Sequence, residues 1–152
     1  MSFIPAGEII GKKKHEVRTV VISDDPLLPD GEYSFLDLYC TDKKCDCRKA
    51  MFHVLYNGKL VSVVNYGWEN EAYYRKWLRC DRDDSMPQEM VGVKVDLMSP
   101  DLVSSDGIEA LIRHLMNKEW QAKIKRYYIL TRIKVNRSQK KYGGSRGIFE
   151  EE

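Results

Sequence analysis

Apolar runs long enough to cross a bilayer are missing from this chain, in which no stretch approaches the roughly 20 residues that a spanning helix requires. The amino terminus, Met1-Ser2-Phe3-Ile4-Pro5-Ala6-Gly7, has no basic region followed by an apolar stretch, so a secretory leader is not expected and a soluble cytosolic protein is. The usual signatures of catalysis are scarce too. Gly143-Gly144-Ser145-Arg146-Gly147 lacks the spacing, the preceding strand and the following helix of a phosphate-binding loop. No serine sits in a Gly-x-Ser-x-Gly elbow, and His15, His53 and His114 lie on separate elements. Asp81, Asp83 and Asp84 lack the glycine and terminal glutamate of a calcium loop and read as a solvated turn.

Cysteine is also sparse, with four in 152 residues, but three of them fall within eight positions. They occupy Tyr39-Cys40-Thr41-Asp42-Lys43-Lys44-Cys45-Asp46-Cys47-Arg48, and Cys80 is the fourth. Soft, ionisable sulfurs gathered in a polar loop fill a core badly and hold a thiophilic ion well. Cytosolic thiols stay reduced, which favours metal or redox chemistry over structural bridges. Thioredoxin-type redox chemistry calls for Cys-x-x-Cys at a helix start, whereas this loop joins two strands.

Geometry supports zinc. Zinc–thiolate bonds of about 2.3 Å place sulfurs roughly 3.8 Å apart. Side chains two apart on extended chain point the same way, so Cys45 and Cys47 converge after modest bending, and Cys40 closes the loop's other end. Lys43 and Lys44 favour the thiolates electrostatically. His53, six residues beyond Cys47 on one strand, is about 20 Å away. Cys80 is therefore the expected fourth ligand, provided the chain folds back after a short helix. Water, Asp42 or Asp46 is the alternative, which would leave an open zinc and admit a hydrolase with one of those carboxylates as base.

The size suits one domain, here residues 1–136, with the polar segment 137–152 expected to be a flexible tail. Strands are expected at Glu16–Ser23, Glu32–Tyr39, Arg48–Tyr56, Lys59–Tyr66 and Met90–Met98. Asn57-Gly58 marks a two-residue hairpin that pairs Tyr56 with Lys59 and, counted back, Lys49 with Tyr66. A short helix is expected over 69–79, and Ile108, Leu111, Ile112, Leu115 and Met116 form one helical stripe, with Asp106 and Glu109 as an acidic capping box. The fold class that follows is α+β: a mostly antiparallel sheet of about five strands with two or three helices packed on one face.

Charge is small overall, +2, yet uneven: residues 111–152 carry +7 and residues 1–110 carry −5. Over Trp120–Val135 the helical stripe Trp120, Ile124, Tyr127, Tyr128, Thr131 competes with a strand pattern from Ile129, and helix is preferred. Lys123, Lys125, Arg126, Arg132 and Lys134 lie on this segment as candidates for binding nucleic acid or an acidic protein, with the tyrosines able to stack on bases. The simpler reading makes Trp120 and the tyrosines core.

Tyr39-Cys40 through Cys45-Asp46-Cys47-Arg48, followed by an apolar strand and Val64-Asn65-Tyr66-Gly67-Trp68, resembles a group of small uncharacterised microbial proteins with a YCxxxxCDCR core, over roughly residues 32–80. Some members of that group carry a second cysteine-rich zinc motif at the carboxyl terminus, of the kind found on the preprotein translocase ATPase. No cysteine follows Cys80 in these 152 residues, so that annex is not expected here. The resemblance implies no activity. The expected function is a binding or scaffolding module with a structural zinc, the alternatives being an open-zinc hydrolase and a thiol redox protein.

Overall fold

The computed structural model of the protein describes residues 2–13, 15–81 and 83–143. Among them are six strands and five helices: β1 (Phe3–Pro5), α1 (Ala6–Ile10), β2 (Arg18–Ile22), β3 (Gly31–Cys40), β4 (Lys49–Tyr56), β5 (Lys59–Gly67), α2 (Glu71–Leu78), α3 (Met86–Glu89), β6 (Gly92–Val95), α4 (Ser105–Leu115) and α5 (Lys118–Gly143). The class is α+β, with one antiparallel sheet. Its order is β1-β3-β4-β5-β6, and β2 shares the β1 side of β3. β2 pairs with the first half of β3 and β1 with its end, where Phe3 faces Cys40.

Alternation decides which face is the core. Tyr33, Phe35 and Tyr39 on β3, Ala50, Phe52 and Val54 on β4, and Val64 and Tyr66 on β5 are buried. They face α5, whose Trp120 ring meets Phe35 and Phe52 at 6.0 and 5.3 Å. The α5 stripe Trp120, Ile124, Tyr127, Tyr128, Thr131 is buried as its helical spacing requires. α5 continues to Gly143, past the expected boundary at residue 136, and residues 144–152 of the expected tail lie outside the described residues.

Three expectations shift locally. The Asn57-Gly58 turn has positive φ at both residues and pairs Tyr56 with Lys59, but a bulge between Val54 and Leu55 moves the rest of the register by one, so Lys49 opposes Gly67 and Ala50 opposes Tyr66. The bulge buries the consecutive residues Val61 and Ser62, at 4 % and 2 % exposure, which an unbroken alternation would send to opposite faces. β6 is shorter than Met90–Met98, because Asp96 accepts the Met98 N–H on its side chain and the Ser99 N–H on its carbonyl, turning the chain and leaving Leu97 and Met98 exposed. α4 is capped by Ser104, whose Oγ accepts the Gly107 N–H at 3.0 Å; Glu109 instead accepts the Val95 N–H and pairs with Arg113.

At the end of β5 the chain passes very close to its neighbours. A Cβ on Gly67 would lie 2.0 Å from the Met90 carbonyl oxygen and 2.8 Å from the Tyr74 hydroxyl. Gly67→Ala is therefore expected to cost about 2 kcal/mol by forcing backbone apart, read as a lower urea midpoint with an unchanged slope. An unchanged midpoint would show that this approach is looser than described.

Candidate metal centre

The cysteine loop occupies residues 41–48, between β3 and β4, at the sheet end where β1 and β5 also meet it. Thr41 donates its N–H and its hydroxyl to the Ser2 carbonyl, fixing the loop's start. Asp42 makes a local turn, accepting the Lys44 N–H on its carboxylate and the Cys45 N–H on its carbonyl. Arg48 then takes a left-handed conformation, φ 48°, which reverses the chain into β4. The Trp68 N–H reaches the Arg48 carbonyl at 3.3 Å, so the hairpin does return to the cysteines.

Within this loop the Sγ atoms of Cys40, Cys45 and Cys47 all lie within 4.8 Å of one another. Cys40 and Cys47 are fully buried and Cys45 is partly exposed. The Asp42 N–H points at the Cys40 sulfur, 3.4 Å away. Three soft donors gathered in a largely dry site can hold a metal ion.

The thiols titrate as a group. Cys40 accepts a hydrogen bond from the Cys47 thiol, which outweighs burial and, with the Asp42 N–H, Cys45 and the Arg132 charge, lowers its pKa to about 6. Cys47 moves the other way, because its proton is engaged by Cys40 and because it is buried. Cys45 is raised as well, by burial and by Cys40. In metal-free protein one thiolate is thus expected to form with a midpoint near pH 6 rather than the ordinary value of about 8.5, read by thiolate ultraviolet absorbance. Lower pH protonates it, and Cys40→Ser removes the step; a first midpoint above about 8 would contradict the hydrogen-bonding scheme.

Compared with protein-family models, with curated proteins and with solved structures, the chain matches none. The chemistry of the site has to be read from its own residues.

Cys80 does not join the three sulfurs. α2 ends in a left-handed cap at Arg79, and the Cys80 N–H returns to the Arg75 carbonyl at 3.0 Å. Arg75 also holds the carbonyls of Asp81 and Asp84, at 2.5 and 3.1 Å, so the segment stays against the last turn of α2. There burial, and after it the neighbouring Asp84 carboxylate, push the Cys80 thiol pKa up. The fold-back that a fourth ligand needs is taken up by Arg75. His53 stands in mid-strand opposite Leu36 and Val63, away from the cluster as expected, and burial lowers its pKa.

The surroundings of the loop are built by residues that sequence reasoning gave other roles. Arg132 donates to the carbonyls of Asp42 and Cys45, at 2.6 and 2.7 Å, and to that of Cys40. It is a clamp on the loop rather than a free cation. Tyr128, one turn earlier on α5, donates its hydroxyl to the Asp46 carboxylate at 2.8 Å and accepts the Arg48 N–H at 3.2 Å. From α2, Tyr73 donates to the Asp46 carbonyl and Tyr74 to the Arg48 carbonyl. Burial works to raise the Asp46 carboxyl, yet its bonds with Arg48 and Tyr128 prevail and hold it below the usual range.

Trp120, Tyr127 and Tyr128 are buried, so they present no faces for stacking on bases. Lys123 pairs with Glu16 at 2.8 Å on the rim of a cleft of about 400 Å3 floored by Phe35 and Trp120. Lys125, Arg126 and Lys134 are exposed. Beside the cysteine loop, Trp68, Lys125, Ile129 and Ile133 line a second cleft of about 430 Å3.

One polar cluster lies apart from the sulfurs. His15 Nε2 shares a 2.6 Å hydrogen bond with Asp37, and Tyr39 donates to the other Asp37 oxygen at 2.7 Å. The side chains of His15 and Asp37 are 3 % and 7 % exposed. The segment between α1 and β2 is thereby tied to the middle of the sheet.

Proposed function

We propose that the protein is a zinc-binding module in which Cys40, Cys45 and Cys47 hold the ion and the ion fastens the β3–β4 loop, and that it belongs with the small microbial proteins its YCxxxxCDCR run resembles. The gathering of three sulfurs within 4.8 Å carries this reading. Thiolates favour zinc among the common divalent ions, and a loop held by Arg132 and three tyrosines has the rigid surround of a structural site. The module's use is binding rather than hydrolysis. Asp46 is engaged by Tyr128 and Arg48, and among the described residues no carboxylate oxygen joins the three sulfurs, which favours a structural ion over a catalytic one. The exposed cations Lys125, Arg126 and Lys134 suit an acidic partner.

Protein purified without added metal is expected to carry about one zinc per chain, falling below about 0.1 in Cys40→Ser, Cys45→Ser and Cys47→Ser and unchanged in Cys80→Ser. Chelation should lower the thermal midpoint of the wild type and leave those three variants unmoved. Wild-type protein with less than about 0.1 metal and freely reactive thiols would overturn the proposal.

A further inference from the structure

The reading of the protein as a module that binds an acidic partner, on which this step rests, leaves the place and the fit to be found. The cleft of about 430 Å3 beside the cysteine loop lies between Trp68, just past β5, and the outer face of α5. On that face Lys125, Ile129, Ile133 and Arg137 follow one another at four-residue spacing, so they form one row. Ile129 and Ile133 are 56 % and 43 % exposed, on the side of the helix opposite the stripe that faces the sheet. Two bare isoleucines in one row beside a recess make an apolar anchor site.

The charge around this row is of one sign. Arg48 is matched by Asp46 and Glu69, and Arg132 is turned inward to the loop carbonyls. Lys125, Arg126, Lys134 and Arg137 are exposed, and none of them makes an ion pair among the described residues. No acidic residue occurs in the sequence from Trp120 to Phe149. We propose that the cleft docks an acidic segment of a partner protein, with one large apolar side chain seated between Trp68 and the two isoleucines and carboxylates set against Lys125, Arg126 and Arg137.

Shape and charge choose this occupant. A recess accepts a protruding side chain, which a flat bilayer does not offer. Trp120, Tyr127 and Tyr128 are buried, so α5 gives nucleic acid phosphate contacts but no faces on which bases could stack. A second copy docked face to face would set like charges together. The other wall of the cleft is the cysteine loop itself, where Asp46 is held by Tyr128 and the Arg48 carbonyl accepts the Trp68 N–H. An ion on Cys40, Cys45 and Cys47 steadies the wall against which the partner packs.

The test titrates the full chain, with its zinc content measured alongside, against a fluorescein-labelled peptide Glu-Glu-Leu-Phe-Glu-Glu-Leu-Leu-Glu-Glu, read by fluorescence anisotropy. Saturable binding is expected, weakened at least about tenfold when serine replaces the leucines and phenylalanine of the peptide, and by a similar factor in Ile129→Ser with Ile133→Ser. Both positions are exposed, so folding should survive the exchange. Lys125→Glu with Arg126→Glu should weaken binding too and flatten its salt dependence. No binding at low salt, or equal affinity for the serine peptide, would overturn the proposal. So would a uridine oligonucleotide bound more tightly than the peptide, or self-association of the chain that the isoleucine substitutions abolish. A full zinc complement without peptide binding would sink the docking site and leave the metal reading standing. Peptide binding by a chain that carries no zinc and has freely reactive thiols would do the reverse.

Discussion

Exchange of Arg132 for methionine is expected to lower the unfolding free energy by about 3 kcal/mol and to weaken metal binding by about 10–100-fold. The guanidinium serves three carbonyls of a single loop, those of Cys40, Asp42 and Cys45, and its face lies over the Tyr128 ring at 5.7 Å. Methionine keeps much of the packing and removes every one of those bonds, taking the guanidinium from the Cys40 and Cys45 carbonyls and leaving that of Asp42 with the Cys45 N–H alone. Arg132→Lys should recover little, because one ammonium cannot reproduce a planar fork aimed at several carbonyls. Urea denaturation read beside a competitive zinc titration separates the two effects. A loss under about 0.5 kcal/mol with unchanged zinc affinity would return Arg132 to the set of ordinary surface cations.

Asp37→Ala is expected to cost about 4 kcal/mol, since it strips the acceptor from two buried partners at once. His15 and the Tyr39 hydroxyl would both be left unpaired behind the sheet, and Tyr39 is itself fully buried. Asp37→Asn keeps one carbonyl oxygen in place and should cost about half as much. The damage should be local in hydrogen exchange. Amides of α1 and of the segment around His15 should lose protection before those of the β4–β5 hairpin, because His15 is what anchors that segment to β3. Uniform loss of protection across the chain would assign Asp37 to the general core instead.

The sequence carried the cysteine site only up to its sulfurs. Cys40, Cys45 and Cys47 were legible because all three lie in one short loop, where spacing alone constrains distance. Cys80 was not, because its position depends on how Arg75 grips the chain after α2, a set of side-chain-to-carbonyl bonds that no periodicity announces. Arg132 had the same disguise. It looked like one of several cations on a basic helix, and the available signal was its place one turn beyond Tyr128, on the edge of the buried stripe. The hairpin illustrates a finer limit: Asn57-Gly58 gave the turn, but the bulge at Val61 arises from what the core must bury, so the count along the strands slipped by one. His15 and Asp37 are ordinary residues in sequence, 22 positions apart, and only the pairing of β2 with β3 brings them together.

The clamp on the cysteine loop has a consequence for the order in which the protein is made. The three sulfurs lie within eight residues and their hairpin is complete by Gly67, while Arg132 arrives from 87 to 92 positions downstream. At about 5–20 residues per second, roughly 4–17 s pass between synthesis of Cys47, which completes the set of thiols, and synthesis of the residue that secures them. During that interval the loop is open to oxidants and to any thiophilic ion at hand. Whatever state the three sulfurs have reached by then is what α5 closes over when Arg132 docks on their loop.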